Sequence, residues 1–284
     1  MSHFHSIVRV PGDPILGLMD AYRADRNPAK LDLGVGVYKD AQGLTPIPRA
    51  VKLAEQRLVE SETTKSYIGG HGDPLFGSLL SQLVLGADSP LLAERAGTTQ
   101  TPGGTGALRL CADFIAHCLP SCGIWLSDPT WPIHESIFAA AGLRVGHYPY
   151  VGADNQLNVE AMIAALAHVP KGDVVLLHAC CHNPTGFDLS PRDWKRVLEV
   201  VKARELLPLI DFAYQGFGDG LEQDGLLFLL EEFRSVPRAH WCAYRLRRDC
   251  DEAAGRAQPA GVYRAQSVVH SAGSRRGSGR HCPG

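Results

Sequence analysis

From Gln100 onward the chain switches repeatedly between short apolar runs that suit strands and longer stretches with helical apolar spacing. Gln100-Thr101 leads into the glycines of 103–106, and a helix is predicted over 107–118. Gly123-Ile-Trp-Leu-Ser127 reads as a strand, 134–141 as a helix and 144–150 as a strand. A helix over 159–167, the strand Val174-Val-Leu-Leu-His178, a helix over 191–203 and a strand over 207–211 continue the order. Parallel strands need a crossover long enough to hold a helix, so this alternation predicts an α/β fold with a mostly parallel, helix-covered sheet. Ahead of it lie a helix near 15–23, the glycine-ended strand Leu31-Asp-Leu-Gly-Val-Gly-Val-Tyr38, and a helix over 50–60. In that last helix Val51, Leu53, Ala54 and Leu58 follow a helical period. No internal repeat is visible.

Bulk properties narrow the class. A chain of 284 residues with 45% hydrophobic content can bury a sizeable core, as one large domain or two modest ones. With 28 basic against 30 acidic residues, nothing calls for nucleic acid or a membrane surface as a partner. No apolar run approaches the roughly 20 residues of a membrane span. Met1-Ser-His-Phe-His5 lacks the basic and apolar regions of a secretion signal. Eight cysteines, of which Cys180 and Cys181 are adjacent and Cys111, Cys118 and Cys122 lie in an apolar helical context, suit reduced thiols in a cytoplasmic protein better than a disulfide framework.

After Glu232 the composition changes. Residues 233–284 hold ten arginines and no lysine, whereas the preceding part holds 11 arginines and 7 lysines. Gly273-Ser-Arg-Arg-Gly-Ser-Gly-Arg280 has no hydrophobic period. A disordered basic tail would look like this. So would an out-of-frame reading of a GC-rich coding sequence, which is the reading preferred here. On either account no fold is expected for this stretch.

Four strings carry chemistry. Asp211-Phe-Ala-Tyr-Gln-Gly-Phe217 follows Leu206-Leu-Pro-Leu-Ile210, which puts an acid at the carboxyl end of a strand and a phenol three residues on. Ligands of open α/β sheets bind outside those carboxyl ends. Gly103-Gly-Thr-Gly106, between a strand and a helix, offers free N–H groups and the positive end of a helix dipole to an anion. A tight strand-to-helix turn also needs glycine for steric reasons alone. Trp131, after Asp128-Pro-Thr, fits either a core or a binding site, and His134 fits a structural histidine. Asn183 opens an Asn-Pro turn within Cys180-Cys-His-Asn-Pro-Thr-Gly186. Zinc is rejected for that string, because no second ligand pair with suitable spacing accompanies it.

Taken in order from Leu31 to Gly225, these strings resemble the aspartate/aromatic-amino-acid aminotransferases, pyridoxal-phosphate (PLP) enzymes of fold type I. The resemblance implies an amino-terminal arm and partial small domain over 1–48, an incomplete PLP-binding large domain over 49–232, and an unmatched tail over 233–284. It gives Gly104 and Thr105 the cofactor phosphate, and Trp131 the pyridine ring and the substrate carboxylate. His134 would lie behind Asp211, which would hold the ring nitrogen protonated. Asn183 and Tyr214 would bond the phenolic oxygen, Asn183 also facing substrate. Tyr67, in Lys65-Ser-Tyr-Ile-Gly-Gly70, would reach the phosphate of a second subunit, and Gly36 would lie near the substrate carboxylate.

One part of the pattern fails. The family's cofactor is held by a lysine in a Ser-x-x-Lys-type strand-end motif, a few tens of residues after the aspartate. Here the last lysine is Lys202, before Asp211, and neither it nor Lys195 has such a motif. An arginine stays protonated and cannot replace the nucleophile. The arginines expected for the phosphate and the substrate α-carboxylate also lack a matching motif. The expectation is an aminotransferase lineage, acting on aspartate or an aromatic amino acid with 2-oxoglutarate in a homodimer, without catalysis in the chain as written. A non-catalytic PLP-binding or subunit-interaction module is the alternative.

Overall fold

The computed structural model describes residues 14–30, 40–94, 96–221, 223–224, 240–244 and 265–271. The strand expected at Leu31–Tyr38, with Gly36, lies outside them. Helices α1 (Pro14–Ala24), α2 (Arg49–Ser61), α3 (Pro74–Leu85) and α4 (Leu91–Glu94) come first. The sheet unit then runs β1 (Ala96–Pro102), α5 (Gly103–Cys118), β2 (Gly123–Asp128), α6 (Ile133–Ala140), β3 (Arg144–Pro149) and α7 (Val159–Leu166). It continues with β4 (Val174–His178), α8 (Pro191–Ala203), β5 (Leu207–Phe212), β6 (His240–Tyr244) and β7 (Ala265–Ser271).

The seven strands form one sheet in the order β1-β7-β6-β5-β4-β2-β3. Pairing is parallel from β3 across to β6, while β7 runs antiparallel to both β6 and β1. The carboxyl ends of six strands therefore share one edge. The expected mostly parallel, helix-covered sheet is what forms.

Period-2 alternation explains why β4 and β5 read as unbroken apolar runs: both faces are covered. Val174, Leu176, Leu207 and Leu209 pack with Ala107, Leu108, Ile115 and Phe138 of α5 and α6. Val175, Leu177, Ile210 and Phe212 pack on the opposite side with Met162 and Leu166 of α7 and Trp194, Val197, Leu198 and Val201 of α8. Burial of each such large side chain stabilises the fold by roughly 1.5–3 kcal/mol. Helix α8 starts where Ser190 caps the Asp193 N–H at 3.2 Å and Pro191 sets the first turn.

Three expectations are corrected. The glycines 103–106 form the first turn of α5 instead of a loop before it, Gly103 taking the left-handed φ of +74° where strand becomes helix. Helix α3 was not foreseen, although Asp73 caps Leu75 and Phe76 at 2.7 and 3.2 Å and Gly86 ends it. The stretch 233–284 is not without structure throughout, because His240–Tyr244 and Ala265–Ser271 supply β6 and β7. The aromatic and β-branched residues Trp241, Tyr244, Val268 and Val269 favour strands, and the free edges of β5 and β1 are templates for pairing.

Candidate functional site

The sheet register brings the site together. Strands β4 and β5 pair so that His178 stands opposite Asp211 at the carboxyl edge. Alternation puts 174, 176 and 178, like 207, 209 and 211, on the face covered by α5 and α6. On α6, His134 is fully buried and reaches the same point, its Nε2 3.1 Å from Asp211 Oδ2. Thr130 Oγ1 holds the other side of that imidazole, 2.8 Å from Nδ1. His178 Nε2 lies 3.9 Å from Asp211 Oδ2, and the two histidine rings stack with centroids 5.4 Å apart. A buried carboxylate thus sits between two imidazoles.

Trp131 meets His134 edge-on, with ring centroids 5.2 Å apart. Asn183 Nδ2 donates to Tyr214 Oη at 3.4 Å, joining the loops that follow β4 and β5. Each loop is fixed by an acid that sequence reasoning passed over. Asp188 accepts from the Cys181 and His182 N–H groups at 2.8 and 3.0 Å. Asp224 accepts from the N–H groups of Gly216, Gly218 and Asp219 at 2.8–2.9 Å.

His182 was also missed. It bonds Ser127 Oγ and Thr185 Oγ1, each at 2.9 Å, and stacks on Tyr150 with centroids 3.8 Å apart. Burial, helped by the neighbouring His134, lowers its pKa to about 4 even though Asp211 opposes the shift. It is a neutral strut. Burial, with the nearby Asp211 charge adding, pushes the Cys111 thiol up to about 12, so that cysteine is inert.

Gly104 is buried in the first turn of α5, and Thr105 beside it is exposed. They lie at the carboxyl end of β1, on the same sheet edge as Trp131, Asn183, Asp211 and Tyr214. Tyr67 is fully exposed at 105%, in the segment just before His71, whose carbonyl accepts from the Gln100 N–H of β1. Gly36 falls outside the described residues. Among the described lysines, Lys30 bonds the carbonyls of Tyr22 and Asp25, and Lys52, Lys65 and Lys171 pair with Glu55, Glu62 and Glu205. Lys195 and Lys202 belong to α8.

The family model for class I and II aminotransferases matches residues 28–234. The chain belongs to the class I and II aminotransferases. It is 78% identical over 225 residues to an aromatic-amino-acid aminotransferase of Pseudomonas aeruginosa, a match that covers 79% of this chain and 56% of that protein. Against an aspartate aminotransferase of Escherichia coli the identity is 50% over 223 residues, or 78% and 56% of the two chains. The solved aromatic-amino-acid aminotransferase of Burkholderia pseudomallei, covalently bound to pyridoxal phosphate, superposes with a TM-score of 0.87 at 39% identity. That alignment covers 96% of this chain and 67% of the other. The chain spans about 56% of the length of the curated relatives it matches. For an aminotransferase of this class, PLP is the cofactor. No described helix of this family member is long and apolar enough to cross a membrane.

Proposed function

We propose that the chain is the cofactor-binding body of an aminotransferase for aspartate or an aromatic amino acid with 2-oxoglutarate, and that as written it holds PLP without a covalent link or turnover. The observation that carries the reading is Asp211, buried at the carboxyl end of β5 and backed by His134 at 3.1 Å. The donor set fits the cofactor's chemistry. Bound PLP supplies an electron sink for the substrate's Cα. Asp211 keeps a proton on the ring nitrogen, because a carboxylate raises the pKa of a cation beside it. His134 and Thr130 orient that carboxylate. Asn183 and Tyr214 converge to donate to the phenolic oxygen, and Trp131 covers the ring. Gly104, Thr105 and the free N–H groups of the 16-residue α5 receive the phosphate.

The missing part is the amine that moves a proton to and from the substrate. The strand that ends a few tens of residues after Asp211 is β6, and Tyr244 is followed by Arg245-Leu-Arg-Arg-Asp249. The family-model match ends at residue 234, beside the compositional change after Glu232. That coincidence supports a boundary there and an out-of-frame origin for 233–284. Translation of the coding DNA beyond Glu232 in its other two frames tests it: a Ser-x-x-Lys motif is expected, and its absence from both frames counts against the idea.

A homodimer completes the proposal. Tyr67 is fully exposed, Ile68, Leu75 and Leu79 are 62%, 67% and 56% exposed, and α2 buries none of its residues. Sedimentation should show a dimer that Leu79→Glu dissociates. Cofactor binding is tested by titrating PLP into the purified chain, with Asp211→Ala expected to abolish most of the affinity; equal binding by that variant overturns the reading.

A further inference from the structure

We infer that Gln215 is a positioning residue: it anchors the loop after β5 to the end of helix α3 and so sets the phenol of Tyr214 against Asn183. The inference rests on the cofactor reading only for what Tyr214 touches. Gln215 is buried, and its Nε2 donates to two carbonyls, Leu83 at 3.2 Å and Leu221 at 3.0 Å. Leu83 is 132 residues away, in the last turn of α3. The last carbonyls of a helix have no partner within it. The Gly86 N–H takes the one at Gln82, and the Gln215 amide takes the one at Leu83. A flipped amide would set its oxygen against two carbonyl oxygens, so the nitrogen must face them. In that orientation Oε1 is buried and finds no partner among the described residues. The amide thus forgoes one bond to keep the two that hold the loop.

Around this amide the loop closes tightly. Gly216 takes a left-handed φ of +89°, and a Cβ there would meet Leu221 Cδ2 at 2.9 Å. The Phe217 N–H donates to the Tyr214 carbonyl at 3.1 Å. Asp224 closes the loop on itself, through Gly216, Gly218 and Asp219. Gln215 instead ties it to another element, and does so at the residue next to the phenol. Tyr214 packs against the same core that holds Leu80, Val84 and Leu85 of α3, so the tether and the packing act together. The contact they support is long, with Asn183 Nδ2 3.4 Å from Tyr214 Oη. Hydrogen bonds weaken steeply beyond that separation, and a small shift of the loop breaks this one. No motif spacing reveals the link, because its two ends are separated by most of the sheet.

The test places 3-fluorotyrosine at position 214 of the full chain and reads its 19F resonance without PLP, in the parent and in Gln215→Met. Methionine keeps the length of the side chain and has no donor. The resonance should move or broaden in the variant. PLP affinity should fall roughly tenfold in Gln215→Met but change less than about twofold when the same substitution is made beside Tyr214→Phe, because residues acting through one contact are not additive. A residue that served stability alone would lower affinity equally in both backgrounds. An unmoved resonance, or equal losses in the two backgrounds, overturns the inference. If Gln215→Met does not fold, Gln215→Asn, whose amide falls one methylene short of the two carbonyls, is read in the same two ways. A parent chain that binds no PLP removes the cofactor reading, and the fluorine resonance still decides this one.

Discussion

Asp211 stands where charge, register and burial meet, and on the proposed reading substitution there should cost more PLP affinity than substitution of Trp131. A hydrogen bond to a charged group contributes about 1.5–3 kcal/mol, whereas aromatic stacking adds about 0.5–1.5 kcal/mol beyond burial. PLP titrations of Asp211→Ala and Trp131→Ala should therefore show the larger loss for Asp211, and an equal or greater loss for Trp131 counts against the assignment. His182 gives a pH signature. An unfolded histidine binds a proton below about pH 6.5, while His182 stays neutral down to about 4. Between those values the unfolded state holds more protons, so stability declines as pH falls through this window, by up to about 3 kcal/mol. Urea midpoints followed from pH 7 to pH 4 should drop less steeply in His182→Gln than in the parent (about one proton fewer in the slope). Parallel slopes would remove His182 from that role.

At the scale of elements, legibility followed the source of the stabilising energy. Strand β4 and helix α8 fall where the sequence puts them, at Val174–His178 and Pro191–Ala203, because burial on both faces or on one stripe leaves a periodic trace. Strands β6 and β7 were invisible because partner edges, more than their own pattern, define them. Motif order singled out Trp131, Asn183, Asp211 and Tyr214, and all four lie along one sheet edge. His178, Asp188 and Asp224 were not readable, since their roles arise from register and loop closure. Asp224 illustrates the point: three backbone N–H groups of the loop after β5 depend on its carboxylate. Asp224→Ala should lower stability by about 1–3 kcal/mol and speed hydrogen exchange at Gly216, Gly218 and Asp219. Unchanged exchange at those amides would show that the loop is held otherwise.

For the whole molecule, the proposed non-covalent binding predicts that borohydride traps no PLP adduct on a single stoichiometric lysine. Mass spectrometry that maps such an adduct to Lys202, or to any other one lysine, would overturn the argument for a non-covalent cofactor. The sheet order carries a second consequence, for assembly in time. Strand β1, which leads into the glycine turn that opens α5, joins the sheet among the described residues through β7 alone, with Ala96 opposite Ser271 and Pro102 opposite Ala265. Such pairing closes a loop spanning most of the chain, and contacts that distant in sequence form late. During synthesis the β2–β5 core can consolidate while β1 still waits for a strand not yet made. The glycine turn proposed to hold the phosphate is thus the last piece to set, and pulse-labelled refolding should show the amides of β1 gaining protection after those of β4 and β5.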